Sequence, residues 1–178
     1  TGTGGTLTGS TTSTINITAV NDAPTASAPT SYNATEQVSL SLKNNSLSIA
    51  DVDAGTGTMT VTLSVTEGAL SATAGTSGVT IVSGSGTSTL VVTGTVTQIN
   101  NFLSASGSTS TLSYIDDTNT PSASTTLTVS VSDGGNTGTG GTLTGSTTST
   151  INITAVNDAP TASAPTSYNA TEQVSLSL

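Results

Sequence analysis

The sequence predicts an all-β protein that folds as a two-sheet sandwich, and its composition, alternation and spacing all favour this fold. Thr, Ser and Gly dominate the chain, while the aromatic residues are limited to one Phe and three Tyr. Thr favours strands, and Gly and Ser favour turns. Short alternating segments separated by Gly-rich turns are typical of sandwiches. With so few aromatics, we expect a core made mainly of Val, Ile and Leu.

The clearest strand prediction comes from the run Thr58–Val65, in which polar and apolar residues alternate without a break. This period of two predicts a half-buried strand whose apolar side chains, from Met59 to Val65, face the core. The same reasoning, with Gly-rich turns as boundaries, predicts the other strands. They are Val38–Leu42 continuing to Leu47–Ile49, Leu70–Thr73, Val79–Val82, Ser88–Thr95, Thr111–Ile115, Thr125–Ser132 and Thr148–Val156.

One segment departs from the strand pattern. Ile99, Phe102 and Leu103 are spaced as i, i+3 and i+4, which predicts one or two helical turns with Thr97 as the N-cap. We expect this short helix to cross from one sheet to the other. Together with the number and spacing of the strands, it indicates a sandwich of immunoglobulin type. The Gly/Thr-rich segment Asp133–Gly145 is interpreted either as disordered or as a surface extension of a hairpin.

The chain contains an internal repeat. Residues 1–42 and 137–178 are identical, which gives a period of 137 − 1 = 136 residues. A unit of this size is ordinary for one domain with one core. The repeat also places a copy of the last strand at Thr12–Val20. We therefore predict the end of a preceding repeat at 1–20, linkers at 21–24 and 157–160, a complete repeat at 25–156, and the start of a following repeat at 161–178.

The charge balance excludes several classes of function. Lys43 is the only basic residue against ten acidic ones, so the net charge is −9. Such a chain cannot neutralise phosphates, which argues against a nucleic-acid partner, and anionic membranes would repel it. No apolar run is long enough for membrane insertion by this segment. The absence of His and Cys removes the commonest general base and the thiol nucleophile, so we predict that the protein is not an enzyme.

The acidic residues cluster at strand ends and loops, which is where consecutive sandwich domains meet. Oxygen ligands without His or Cys favour Ca²⁺ over zinc or copper. Asp51 and Asp53 lie two residues apart, so both side chains face the same way in an extended segment, and a cation would offset their repulsion. The simpler alternatives stay open: a solvated turn at Asp133-Gly134, an exposed loop at Asp116-Asp117, and a solvated strand start at Glu36.

Three motifs together resemble the calcium motifs of cadherins: Asn-Asp-Ala-Pro at 21–24 and 157–160, Asp51-Val52-Asp53, and Ser132-Asp133-Gly134. Over essentially the whole unit, the chain resembles the bacterial cadherin-like (VCBS-type) tandem repeats of giant extracellular (RTX-type) adhesins. The resemblance implies Ca²⁺ at the junctions between repeats. At the first junction, the implied ligands are Asn21, Asp22, Asp51, Asp53 and Asp133. At the second junction, they are Glu36, Asp116, Asp117, Asn157 and Asp158.

The chain also departs from the cadherin pattern. Asp116-Asp117-Thr118-Asn119 stands where cadherins carry Asp-Arg-Glu, and the linker is less acidic than theirs. The second junction is therefore expected to hold fewer ions, or none.

The resemblance implies an extracellular structural repeat, secreted or on a bacterial cell surface, that forms a calcium-stiffened fibre or stalk of a surface adhesin or filament. Its expected partners are neighbouring identical repeats, joined head to tail, in cell adhesion or biofilm formation. Two alternatives stay open. The repeat could bind a carbohydrate or cell-surface ligand through the Gly135–Gly145 loop, or separate chains could form a filament by strand exchange.

Overall fold

The computed structural model describes residues 2–6, 8–136 and 138–177. This part of the chain is all-β apart from one short helix, which confirms the predicted fold class. Its elements are β1 (Thr25–Ser27), β2 (Ser31–Thr35), β3 (Leu40–Ser41), β4 (Ser48–Ala50), β5 (Met59–Val65), β6 (Ala69–Thr73), β7 (Thr80–Ser83), β8 (Thr89–Gly94), α1 (Val96–Leu103), β9 (Thr111–Ile115), β10 (Ser124–Ser132) and β11 (Thr144–Thr154).

The strands form one large sheet and two smaller ones. The large sheet has the order β2-β11-β10-β5-β8-β7, and the second sheet has the order β3-β9-β6, while β1 pairs with β4. Within the large sheet, β2 runs parallel to β11 and the other described pairs are antiparallel. Because β11 lies between β10 and β2, its hydrogen bonds are shared between the hairpin partner β10 and the far N-terminal strand β2.

The alternation predicted for β5 is found in the structure, where every second side chain from Met59 to Val65 is buried. Residues from both sheets and from α1 meet in one core. A single apolar core between two sheets is the defining feature of a sandwich. Its fully buried members include Leu63, Leu90, Val129 and Ile151 from the large sheet and Leu70, Leu112 and Tyr114 from the second.

Helix α1 buries Ile99, Phe102 and Leu103, as their spacing predicts. The N-cap, however, is Thr95, so the prediction of Thr97 is wrong. Thr95 Oγ1 accepts a hydrogen bond from Gln98 N, and Thr95 N donates to Gln98 Oε1 at 2.9 Å. This reciprocal pair is a capping box, which needs Gln or Glu three residues after the cap. Gln98, three residues after Thr95, meets that requirement.

The strand expected at Thr12–Val20 is absent from the structure, although its sequence is that of β11. Residues 12–19 form no strand, and the side chain of Ile15 is 83% exposed, whereas the identical Ile151 in β11 is fully buried. The difference lies in the partners, because β11 is bonded to β10 and β2 on its two sides. Strand formation in this sequence therefore depends on tertiary pairing more than on local preference.

Candidate functional site

The acidic residues occupy two opposite ends of the sandwich. β11 begins at Thr144, opposite Ser132 of β10, and ends at Thr154, opposite Thr35 of β2. Since a strand rises about 3.3 Å per residue, its eleven residues span about 33 Å. We call the end next to Ser132 the upper end and the end next to Thr35 the lower end.

At the upper end, the first linker is held by a buried pair, Asn21 and Asp133. Asn21 Nδ2 donates to Asp133 Oδ2 at 2.6 Å and to Gly141 O at 2.7 Å. Asp133 Oδ1 accepts from Gly135 N and Leu143 N, both at 2.8 Å. Burial by itself would raise the pKa of Asp133, but the hydrogen bonds from Leu143, Gly135 and Asn21 together lower it below its usual value of 3.8. The carboxylate is therefore charged near neutral pH.

Asp51 and Asp53 lie at the same end and also contact the linker. Asp51 Oδ1 accepts from the backbone N–H groups of Asp53 and Ala54, both at 3.1 Å. Asp53 Oδ2 accepts from Asp22 N at 3.0 Å. Burial raises the pKa of Asp51, and so does the contact of its carboxyl group with that of Asp53. The two carboxyl groups are thus held in contact beside the linker. A turn at residues 51–54 brings them together, and not the extended segment on which the prediction was based.

At the lower end, Glu36 is a buried carboxylate in contact with Val156, the residue that precedes the second linker. Its side chain is 1% exposed, and Oε2 accepts from Val156 N at 2.7 Å. Its other oxygen, Oε1, is buried without a hydrogen-bond partner in the described part of the chain. An unpaired buried oxygen of this kind is costly, and it calls for a specific explanation.

Asp116 is the second buried carboxylate at the lower end, and it is 1% exposed. Its Oδ1 accepts from Thr118 N at 3.0 Å and from Thr118 Oγ1 at 2.7 Å, and its Oδ2 accepts from the hydroxyl of Tyr114. Burial raises the pKa of Tyr114, and the charge of Asp116 raises it further. The Asp116 backbone carbonyl accepts from Gln37 N at 2.7 Å, which places it next to Glu36.

The structure thus brings together the whole predicted set at the upper end, where Asp22 contributes its backbone N–H, and part of the predicted set at the lower end. The upper end joins Asn21, Asp22, Asp51, Asp53 and Asp133, and the lower end joins Glu36 and Asp116. Asp117, Asn157 and Asp158 are exposed side chains. Within the ranges that the structure describes, no group of three or more acidic, His or Cys residues could hold a metal ion.

The Gly/Thr-rich segment was expected to be disordered or a hairpin extension. It forms the turn between β10 and β11 and packs against the first linker. Asn136 Nδ2 donates to Thr58 O at 2.7 Å and also to Asp133 O. Thr137, which belongs to this segment, lies outside the described residues. Sequence reasoning did not identify Asn136 or the loop carbonyls as parts of the upper end, because amide and backbone groups give no charge signal.

Comparison of the chain with protein-family models found no match, and comparison with curated protein sequences found none either. None of the described helices combines the length and the apolar character needed to cross a membrane. The class that the fold and the site define is therefore an all-β sandwich domain with acidic clusters at its two ends.

Proposed function

We propose that the protein is an extracellular structural repeat whose junctions bind Ca²⁺ and thereby stiffen a fibre or stalk, as in a bacterial surface adhesin. The observation that carries this proposal is the position of the carboxylates at the two ends. Glu36 accepts from Val156, next to the linker that leaves the domain, and Asp53 and Asp133 contact the linker that enters it.

The period of the sequence explains why one repeat holds only half of a site. Residues 21–24 and 157–160 are copies of one linker, so the two ends of this domain are the two sides of one kind of junction. A complete junction would combine Glu36 and Asp116 of one repeat with the counterparts of Asp51, Asp53 and Asp133 in the next. The carboxylates of a single repeat are then too few and too far apart to form the site alone.

The residues present fit a hard cation. Ca²⁺ takes six to eight oxygen ligands from carboxylates, amide oxygens and backbone carbonyls. Glu36 Oε1 and Asn21 Oδ1 are buried oxygens without a hydrogen-bond partner among the described residues. The contact between Asp51 and Asp53 is repulsive when both are charged. A bound cation would satisfy the first two oxygens and cancel the repulsion of the pair.

The consequence for the fibre would be mechanical. Without a cation, repulsion among the carboxylates opposes the close approach of two repeats and leaves their angle free. Bound Ca²⁺ would neutralise the charge of the carboxylates that the two repeats bring to the junction. If Ca²⁺ binds only to folded repeats, it would also raise their free energy of unfolding and their resistance to proteases, together with the rigidity of the fibre.

The test is the melting temperature of a chain of two complete repeats in calcium and in chelator. One site filled at a hundred times its Kd adds about 2.7 kcal/mol, which raises Tm by about 5–10 °C for a chain of this size. Protease resistance should rise in parallel. Equal melting temperatures in calcium and in chelator would contradict the proposal.

The variant Asp51→Asn tests whether Asp51 is a calcium ligand or only a residue of a polar turn. The amide keeps the Oδ1 that accepts from Asp53 N and Ala54 N, but it removes the charge next to Asp53. We expect the variant to melt higher than the wild type in chelator, because relief of about 1 kcal/mol of repulsion raises Tm by about 2–4 °C. It should also lose most of the gain in calcium.

Glu67→Gln is the matched control, because it removes one negative charge at a residue that belongs to neither predicted ligand set. Gln also keeps the Oε1 that accepts from Ser122 N. The variant should keep the calcium gain of the wild type. If Asp51→Asn and Glu67→Gln behave alike in both buffers, Asp51 is a solvated turn residue and not a calcium ligand.

Strand exchange between chains is the second candidate, and one observation favours it. The segment 8–18 repeats the sequence of β11, yet Ile15 and Ile17 are 83% and 88% exposed. A strand sequence with exposed apolar side chains could take the β11 position of another molecule. Ligand binding through the Gly-rich loop has less support, because that loop is bonded to the linker.

A further inference from the structure

The Gly-rich loop makes backbone hydrogen bonds to the end of the preceding repeat. Thr139 N donates to Ala19 O at 3.0 Å, and Asn21 N donates to Thr139 O at 3.1 Å. These two bonds form a parallel bridge between Val20 and Thr139. The loop thus pairs with the chain at Val20 as a neighbouring strand would in a sheet.

Glycine makes this close approach possible at position 138. Gly138 has φ +74°, and a Cβ added there would lie 2.6 Å from both Asn21 N and Val20 C. Gly141, in the same loop, has φ +77°, but an added Cβ would meet no atom within 4 Å. The first glycine is therefore required by contact with the linker, whereas the second is required only by its backbone conformation.

The copy of this segment at the other end of the domain shows which partner its other backbone edge has. Ala19, Val20 and Asn21 are copies of residues 155–157, and Val156 N donates to Glu36 Oε2 at 2.7 Å. A parallel bridge centred on Val20 uses the carbonyl of Ala19 and the N–H of Asn21. The N–H of Val20 itself then points away from the loop, in the direction in which its copy, Val156, meets Glu36.

We propose that the segment leading into each linker, residues 19–21 and its copy 155–157, is hydrogen-bonded on both sides at once. One side bonds to Glu36 of its own repeat, and the other bonds to the Gly-rich loop of the following repeat. The loop is then an interaction surface, and its partner is the C-terminal end of the preceding copy. The inference rests on the tandem arrangement assumed in the proposed function, but it does not require calcium. The backbone bonds set the direction of the linker, and the cation neutralises the charges around it.

The test uses the 178-residue chain in chelator, so that its outcome is independent of calcium. NMR scalar couplings across hydrogen bonds should be observed from Asn21 N to the Thr139 carbonyl and from Thr139 N to the Ala19 carbonyl. In Gly138→Ala, amide exchange of Asn21 and Thr139 should accelerate by tenfold or more. In Gly86→Ala, which introduces similar backbone strain between β7 and β8 (φ +87°, with no atom within 4 Å of an added Cβ), these two amides should exchange as in the wild type relative to core amides such as that of Val129.

The Glu36 side is tested in the same chain. Glu36→Ala removes the acceptor of Val156 N–H, so exchange of that amide should accelerate by tenfold or more while that of Asn21 is unchanged. Missing couplings in the wild type would overturn the proposal, even if a variant fails to fold. Equal exchange of Asn21 in Gly138→Ala and Gly86→Ala would overturn it too. A calcium effect without these bonds would support the proposed function alone, and the bonds without a calcium effect would support this inference alone.

Discussion

Ile151→Ala is expected to destabilise the protein by about 2–5 kcal/mol, whereas Ile15→Ala is expected to cost less than about 0.5 kcal/mol. The two residues have identical neighbours in the sequence, since they are copies one period apart. Ile151 is fully buried between β10 and β2, and Ile15 is 83% exposed. The free energy of unfolding in urea, measured for the two variants and the wild type, gives both values.

The same pair of variants decides whether strands are exchanged. If residues 8–18 took the place of β11 in a large share of molecules, both substitutions would destabilise the protein by similar amounts. The effect would then depend on protein concentration when the exchange is between chains. Similar values for Ile15→Ala and Ile151→Ala would therefore contradict the assignment of β11 to Thr144–Thr154.

Phe102→Ala is expected to cost about 3–5 kcal/mol, the range for removing a buried aromatic side chain. Phe102 is the only Phe in the chain and is fully buried on α1. Helix α1 contacts β8 of the large sheet and β9 of the second sheet, so the lost side chain leaves a cavity between the two sheets. Urea unfolding measures the loss, and Thr97→Ala on the exposed side of the same helix is the control, with an expected change within about 0.5 kcal/mol.

A small effect of Phe102→Ala would mean that α1 packs loosely and that the core does not depend on the helix. A large effect of Thr97→Ala would contradict the capping role of Thr95, because it would indicate that the helix begins two residues later. Both outcomes are distinguishable from global unfolding by the helix content of the folded variant.

Features that depend only on neighbours along the chain take the same form in both copies of the repeated sequence. The turn after β2, which the sequence analysis did not predict, shows this most clearly. Gln37 has φ +58°, and its copy Gln173 has φ +61°, with the same 3.1 Å hydrogen bond between the flanking residues. This turn forms whether or not the surrounding domain is complete. The strands do not behave in this way, because the copies of β1, β2 and β11 outside the domain form no strand.

Sequence reasoning missed β1 and β2, which lie in the Pro-bearing region after the first linker. Proline and the short length of these strands weaken the alternating pattern. Their pairing is non-local, since β2 is bonded to β11, more than a hundred residues later in the chain. No window of neighbouring residues contains that information.

The candidate site was predictable in part. The spacing of Asp51 and Asp53 indicated that their side chains lie together, but the structure achieves this with a turn and not with the extended segment assumed. The resemblance to cadherin-like repeats implied that they meet Asn21 and Asp133. The burial of Glu36 was not predictable, because it depends on the crossing of the β2 turn and the end of β11. The exposed Asp117, Asn157 and Asp158 stay candidates for a junction that includes the next repeat.

The central claim, that calcium fixes the angle between repeats, is tested most directly by a distance between two repeats. The chain has no cysteine, so Ser83→Cys in each of two complete repeats gives two specific sites for spin labels on an exposed edge strand. We expect a broad distance distribution in chelator and a much narrower one in calcium, with a similar mean because the backbone bonds already direct the linker. Asp51→Asn in both repeats should keep the distribution broad in calcium. Equal widths in calcium and chelator would contradict the claim and leave a passive filament of β-sandwich repeats.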